Sequence, residues 1–218
     1  MRKWLRRNRW GLVALPAAAA LLVAANGQRI QDWWWDAELH YASATGEQGE
    51  WVHYAEDFED AAGKGTRELD FRITGLERVT SYTNRLGTTT RITDDVYDAW
   101  RVTFEGRADP DTVLTGCSLA LTEADGTRYA YLADADGVDQ DLLYPCLPFE
   151  DYGPSESIVA GAGRQLDGGD PDADPRDPSW TVEPLVFVPK GTRITGVMLW
   201  WRPPHYARVA VSASPERG

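Results

Sequence analysis

Two cysteines, three histidines and several runs of aspartate are the residues through which this chain could do chemistry, and their spacing restricts what that chemistry is. Cys117 and Cys146 are the only cysteines. They lack CxxC spacing, and His40, His53 and His205 are scattered, so neither a redox couple nor a zinc set is spelled out. In a chain that reads as exported, an even cysteine count predicts a disulfide between the two, contributing roughly 3–4 kcal/mol in the chain-entropy view. Asp170, Asp172 and Asp174 alternate as the oxygen ligands of a calcium loop do. Pro171 and Pro175, however, stand where such a loop must flex, no glycine supplies the sharp turn, and no glutamate closes the set. Asp134, Asp136, Asp139 and Asp141 share these faults, and both runs read as solvated acidic loops. Glu56, Asp57, Glu59 and Asp60 could supply a glycosidase-like pair only by number, and "EDFED" is more simply an acidic turn. No nucleophile-elbow, zinc-protease, P-loop or dinucleotide motif occurs. The expectation is therefore a protein without catalytic residues, metal ligands or cofactor.

Aromatic residues carry the more specific signals. In "MLWWRPPHY", Trp200 and Trp201 are neighbours in a strand and must face opposite sides, so one indole belongs to the core and the other to the surface. Parity does not decide which, since Met198 shares a face with Trp200 and Leu199 with Trp201. The outward ring would stand near Arg202, His205 and Tyr206, a mixture enriched at binding hot spots, and this cluster is the candidate surface for an envelope protein partner. The second signal is "QDWWWDA": no packed element buries three consecutive tryptophans, Trp33, Trp34 and Trp35, on one face.

The N-terminus supplies a solvent that would accept them. Residues 1–29 hold six basic side chains and no acid, and from Trp10 to Gln28 there is no charge. A basic tail (1–9), an apolar helix with its juxtamembrane continuation (10–35) and a polar linker (36–50) fit a single transmembrane span with the N-terminus inside. Trp10 at one boundary and Trp33, Trp34 and Trp35 at the other would form two interfacial belts, since an indole keeps its body among acyl chains and its N–H among headgroups at any azimuth. The partner of this segment is then the lipid bilayer. Cleavage after Ala25, at "VAA", is the competing reading and would release a secreted protein. Residues 30–218 carry 16 basic and 34 acidic side chains, a formal charge of -18, which argues against nucleic acid or anionic lipid as a partner of that part.

Strand patterns dominate from Trp51 onward. "RELDFRITGL", "AWRVTFEG" and "GCSLALTE" alternate apolar and polar residues with period two, Asp125-Gly126 marks a hairpin, and Pro189-Lys190-Gly191 marks the turn of a closing hairpin between two further β-rich runs. Residues 134–157 and 164–180, rich in Asp, Pro and Gly, read as loops. The pattern predicts an antiparallel sandwich of about seven to nine strands over residues 51–214. The closing run "VFVPKGTRITGVMLWW" resembles the end of the immunoglobulin-like extracellular domains of bacterial, chiefly actinobacterial, secreted and membrane-anchored proteins. The chain departs from the lipoproteins among them in having no cysteine at the end of its apolar segment. The resemblance implies a fold and a location and brings no catalytic residues. Fold class is accordingly all-β, an immunoglobulin-like antiparallel β-sandwich preceded by a single N-terminal transmembrane helix. The expected role is a non-enzymatic binding or assembly module of the cell envelope; a secreted protein with a metal-dependent or hydrolytic role is the alternative.

Overall fold

A computed structural model describes residues 4, 8–31, 35, 37–92, 96–135, 138–157 and 175–212. The helix α1 (Arg9–Ile30) precedes β1 (Tyr41–Glu47), β2 (Val52–Asp60), β3 (Gly63–Val79), β4 (Ser81–Thr83), β5 (Thr89–Arg91) and β6 (Tyr97–Arg107). There follow β7 (Ser118–Thr122), β8 (Arg128–Ala130), β9 (Asp134–Ala135), β10 (Val138–Asp139), β11 (Ser179–Val182), β12 (Leu185–Pro189), β13 (Gly196–Trp200) and β14 (His205–Ala210).

Two five-stranded sheets form the body. The first has the order β1-β14-β13-β7-β8; in the second, β2, β3 and β6 lie side by side, and β11 and β12 pair with successive halves of β6. Their facing side chains make one apolar core. Leu69, Phe71, Ile73, Val102 and Phe104 enter it from the second sheet, and Leu119, Leu121, Val197, Leu199, Ala207 and Val209 from the first. The period-two reading of β3, β6 and β7 thus describes a sandwich. A bulge between Ile73 and Gly75 resets the parity, so that Leu76 also turns inward. Gly106 is fixed by packing: a Cβ there would lie 2.5 Å from the Trp180 ring.

Several expectations are corrected. The run across Pro189-Lys190-Gly191 is not a hairpin, because β12 pairs with β6 in one sheet and β13 with β7 and β14 in the other. The turn instead carries the chain from sheet to sheet, with Lys190 N donating to Val96 O and Thr195 N to Thr122 O. The sandwich is not purely antiparallel either, since β1 runs parallel to β14 from Tyr41↔His205 to Glu47↔Ala210. Residues 36–50, expected as a polar linker, contain that strand. His40 N and Tyr41 N both donate to Pro204 O, and Glu38 pairs with Arg128 at 2.9 Å. Gly46 permits the approach of the next strand, because a Cβ would meet Val52 Cγ2 at 2.5 Å. Residues 213 and 214, the end of the expected domain, lie outside the described residues.

The structure does not show the expected transmembrane span. The α-helix Arg9–Ile30 contains Pro16 and is apolar all round, with Leu15, Leu21, Leu22 and Val23 exposed. Among the described residues, however, no helix is long and apolar enough to cross a membrane.

Cys117 and Cys146 are joined, with their Cα atoms 6.3 Å apart. The bridge ties the loop around Cys146 to the start of β7. The two cysteines are 29 residues apart, and opening the loop they close is expected to lower stability by about 3–4 kcal/mol. Denaturant unfolding with and without reductant measures this; superimposable curves would show that the bridge adds nothing.

Candidate functional site

The expected surface cluster at Trp200, Trp201, Arg202, His205 and Tyr206 is divided among four environments. Leu199 and Trp201 turn inward, and Trp201 becomes a core residue: its Nε1 donates to Leu114 O at 2.7 Å and its ring stacks on Tyr54 at 5.2 Å. Trp200, on the opposite face, is half-buried and pairs with Ser118 at the end of β13. Arg202 turns toward the loop after Asp151, donating to Glu156 and to Glu59 O. His205 goes to the sheet edge, where Nδ1 meets Ser43 Oγ at 2.9 Å and the ring lies 5.5 Å from Tyr41; Tyr206 is half-buried beside them.

Beneath Trp201 lies an ionic network that the composition did not reveal. Arg67 has the parity of Leu69, Phe71 and Ile73 and is fully buried. Its Nε donates to Val113 O at 2.9 Å, its Nη1 to Glu56 and its Nη2 to Glu156, both at 2.8 Å. The guanidinium also lies 4.7 Å from the Phe58 ring and 5.0 Å from that of Trp201. Each of the three nitrogens of the fork therefore donates to an acceptor, which is what allows a charge to be buried. Glu156 is shared, accepting Arg67 and Arg202 through its two oxygens. A shallow cavity of about 270 Å³ beside it is lined by Thr115, Tyr144, Ser155, Glu156, Trp201 and Arg202.

Tyr54 closes this region. Its hydroxyl is buried close to the Glu56 carboxylate but forms no hydrogen bond of good geometry with it. Burial, followed by the Glu56 carboxylate, holds the phenol well above its ordinary range, while Arg67 acts in the opposite direction. In the unfolded chain the same phenol ionises near pH 10, so above about pH 10 the unfolded state binds fewer protons and stability falls as pH rises. Tyr54→Phe is expected to stabilise the domain by about 1 kcal/mol at neutral pH, by removing the poorly partnered hydroxyl, and to flatten the alkaline loss. Unfolding midpoints of both proteins at pH 8 and pH 11 measure this; parallel losses would contradict it. Arg176, also buried, contributes the opposite slope to both proteins, because burial draws its guanidinium down to about 10 against the pull of Asp109 and Asp111. Its Nη atoms hold Thr112 O, Tyr152 O and Asp109 O, stitching three loops together.

Trp200 is the floor of an apolar cleft of about 340 Å³ at the end of the first sheet, where Leu132, Leu143, Tyr144 and Pro145 form the walls and Cys117 the base. The disulfide positions this wall, since Leu143–Pro145 immediately precede Cys146. Leu132 and Leu143 are exposed. Of the expected membrane-interface residues, Trp10 is exposed on α1 and Trp35 is exposed and stacked on the His40 ring at 4.3 Å. Trp33 and Trp34 lie outside the described residues.

Polar chemistry elsewhere is internally committed. In a cleft of about 420 Å³ beside the β4–β5 hairpin, Asp141 accepts from Tyr82 Oη at 3.1 Å and Arg85 N at 2.7 Å, and Arg101 pairs with Glu77. His53 and Asp70 form an exposed pair at 2.8 Å on the outer face of the second sheet. Among the described residues, no group of three or more His, Cys, Asp or Glu is placed to hold a metal ion. Asp136, Asp170, Asp172 and Asp174 fall outside those residues.

No family model matches the chain, and no curated protein matches it. Among solved structures it is similar to MPT63, a secreted protein from Mycobacterium tuberculosis, at 14% identity. That likeness covers 77% of this chain and 97% of the other, with a TM-score of 0.39.

Proposed function

We propose that the protein is a non-enzymatic contact or assembly module of the cell envelope: an immunoglobulin-like sandwich displayed on the extracytoplasmic side and held at the membrane by its N-terminal segment. The observation that carries this reading is the helix Arg9–Ile30. It is apolar on every face and leaves Leu15, Leu21, Leu22 and Val23 uncovered, although a folded domain with a complete core follows it. A helix apolar all round is a core helix or a membrane helix, and nothing in the sandwich covers these side chains. The basic residues before it favour an inward N-terminus, and the Cys117–Cys146 bridge suits an oxidising compartment on the other side. The low transfer free energy of its alanines is offset in part by tryptophans at both ends of the segment, which add interfacial attachment.

The contact surface in this reading is the cleft floored by Trp200, where exposed leucines flank an indole. Topology tests the proposal. Protease added to intact cells should remove the sandwich and leave an epitope placed before Trp4 protected. Protection of the sandwich, or loss of the N-terminal epitope, would reject the arrangement.

A further inference from the structure

The first sheet differs in chemistry between its two ends. At one end Tyr41 is the register partner of His205, Trp200 closes β13 opposite Ser118, and the chain leaving β8 at Ala130 carries Leu132 into the cleft with Leu143. The fold leaves these side chains in the open: Leu132 is 61% exposed, Leu143 58%, Trp35 55% and Tyr41 51%. At the other end the strands finish in Glu47, Ala210, Gly196 and Thr122, which are small or polar. Four strand spacings separate β1 from β8, so the apolar end is a rim about 19 Å wide.

We infer that this rim lies in the interfacial layer of the bilayer, so that the domain is held by two contacts, its helix and its own apolar end. The inference rests on the anchored reading above and names what the Trp200 cleft faces. Chain length carries it. Trp35 stacks on His40, and His40 N is bonded to Pro204 O, so Trp35 is fixed to the domain. Only five residue steps separate Ile30, the end of the helix, from Trp35, and five steps reach at most about 18 Å. A helix seated in the membrane therefore cannot hold this end of the sandwich far from the headgroups. The side chains suit that depth. Tyr and Trp place a polar tip in the headgroups and an apolar body below, and Leu132 and Leu143 gain from leaving water. Electrostatic attraction plays no part, since the formal charge of -18 over residues 30–218 repels anionic headgroups. The contact therefore needs no anionic lipid.

A photoreactive benzophenone amino acid, placed at Leu132, Leu143 or Glu47 in separate full-length preparations, tests the rim. Each is irradiated in phosphatidylcholine vesicles, with or without added anionic lipid, and in cell membranes. Leu132 and Leu143 should form lipid adducts in phosphatidylcholine alone, with no gain when anionic lipid is added, and the adduct should be lost at Glu47 on the far end. Absence of lipid adducts at both leucines, or a protein adduct replacing them in cell membranes, overturns the inference. Alkaline extraction of the same membranes separates the two failures: a retained chain without lipid adducts rejects the rim and keeps the anchor, while a released chain rejects both.

Discussion

Trp201→Ala is expected to destabilise the sandwich by about 3–5 kcal/mol, the range for truncating a buried aromatic, whereas Trp200→Ala should cost about 1 kcal/mol. The contrast is informative because the two residues are adjacent and identical. Removing Trp201 opens a cavity beneath Tyr54, leaves Leu114 O without its donor, and takes away one ring against which the Arg67 guanidinium packs. Removing Trp200 only deepens a cleft that already opens to solvent. Urea unfolding of the two variants measures the difference. Equal losses would mean that Trp200 is as structural as its neighbour, and the cleft would lose its standing as a contact surface.

Arg67→Ala should cost a comparable amount, about 3–5 kcal/mol, because truncating one member of a buried ionic cluster leaves the others without compensation. Glu56 and Glu156 would then face each other with no cation between them, and Val113 O would lose its donor. Because the cost is one of stranded charge, combining Arg67→Met with Glu56→Gln and Glu156→Gln should recover most of the loss. If the triple variant is no more stable than Arg67→Ala, packing around the guanidinium, not its charge, holds this region. Trp201 and Arg67 are in contact, so their losses should not add, and a double-mutant cycle should show coupling of about 0.5–3 kcal/mol.

The same residues show how far the sequence could be read. Leu69, Phe71 and Ile73 alternate with Asp70 and Arg72, and β3 forms with that parity. The alternation extends back to Arg67, so its inward direction was legible in "RELDFRI"; its partners were not, because Glu56 comes from β2 and Glu156 from a distant loop. β1 illustrates the opposite case. It is an edge strand built mostly of small residues and held by backbone pairing with β14, with no buried apolar face, and so it has no period-two signature. The outer face of β7 and β13 misled in another way: Ala120 and Met198 point away from the core yet are buried, so that face is covered where the pattern predicts solvent. The sheet switch at Pro189–Gly191 was hidden because a turn signal fixes where a chain bends and says nothing of which sheet receives the next strand.

The candidate site was legible in part. The need for one inward and one outward indole follows from strand geometry alone, but which one is inward depends on the register of β13 against β7 and β14. Leu132 ends the run that follows the Asp125-Gly126 turn, whereas Leu143 carries no periodic signal in a segment that reads as a loop and is held beside Trp200 by the Cys117–Cys146 bridge, which ties that loop to the start of β7.

The N-terminal sequence of the protein isolated from cell membranes tests the anchored reading most directly. Retention of the segment before Asn26 in a membrane-bound chain is the result expected if Arg9–Ile30 holds the sandwich at the bilayer. A soluble protein beginning at Asn26 would show instead that the segment is a cleaved export signal, and both the anchor and the lipid-facing rim would be abandoned.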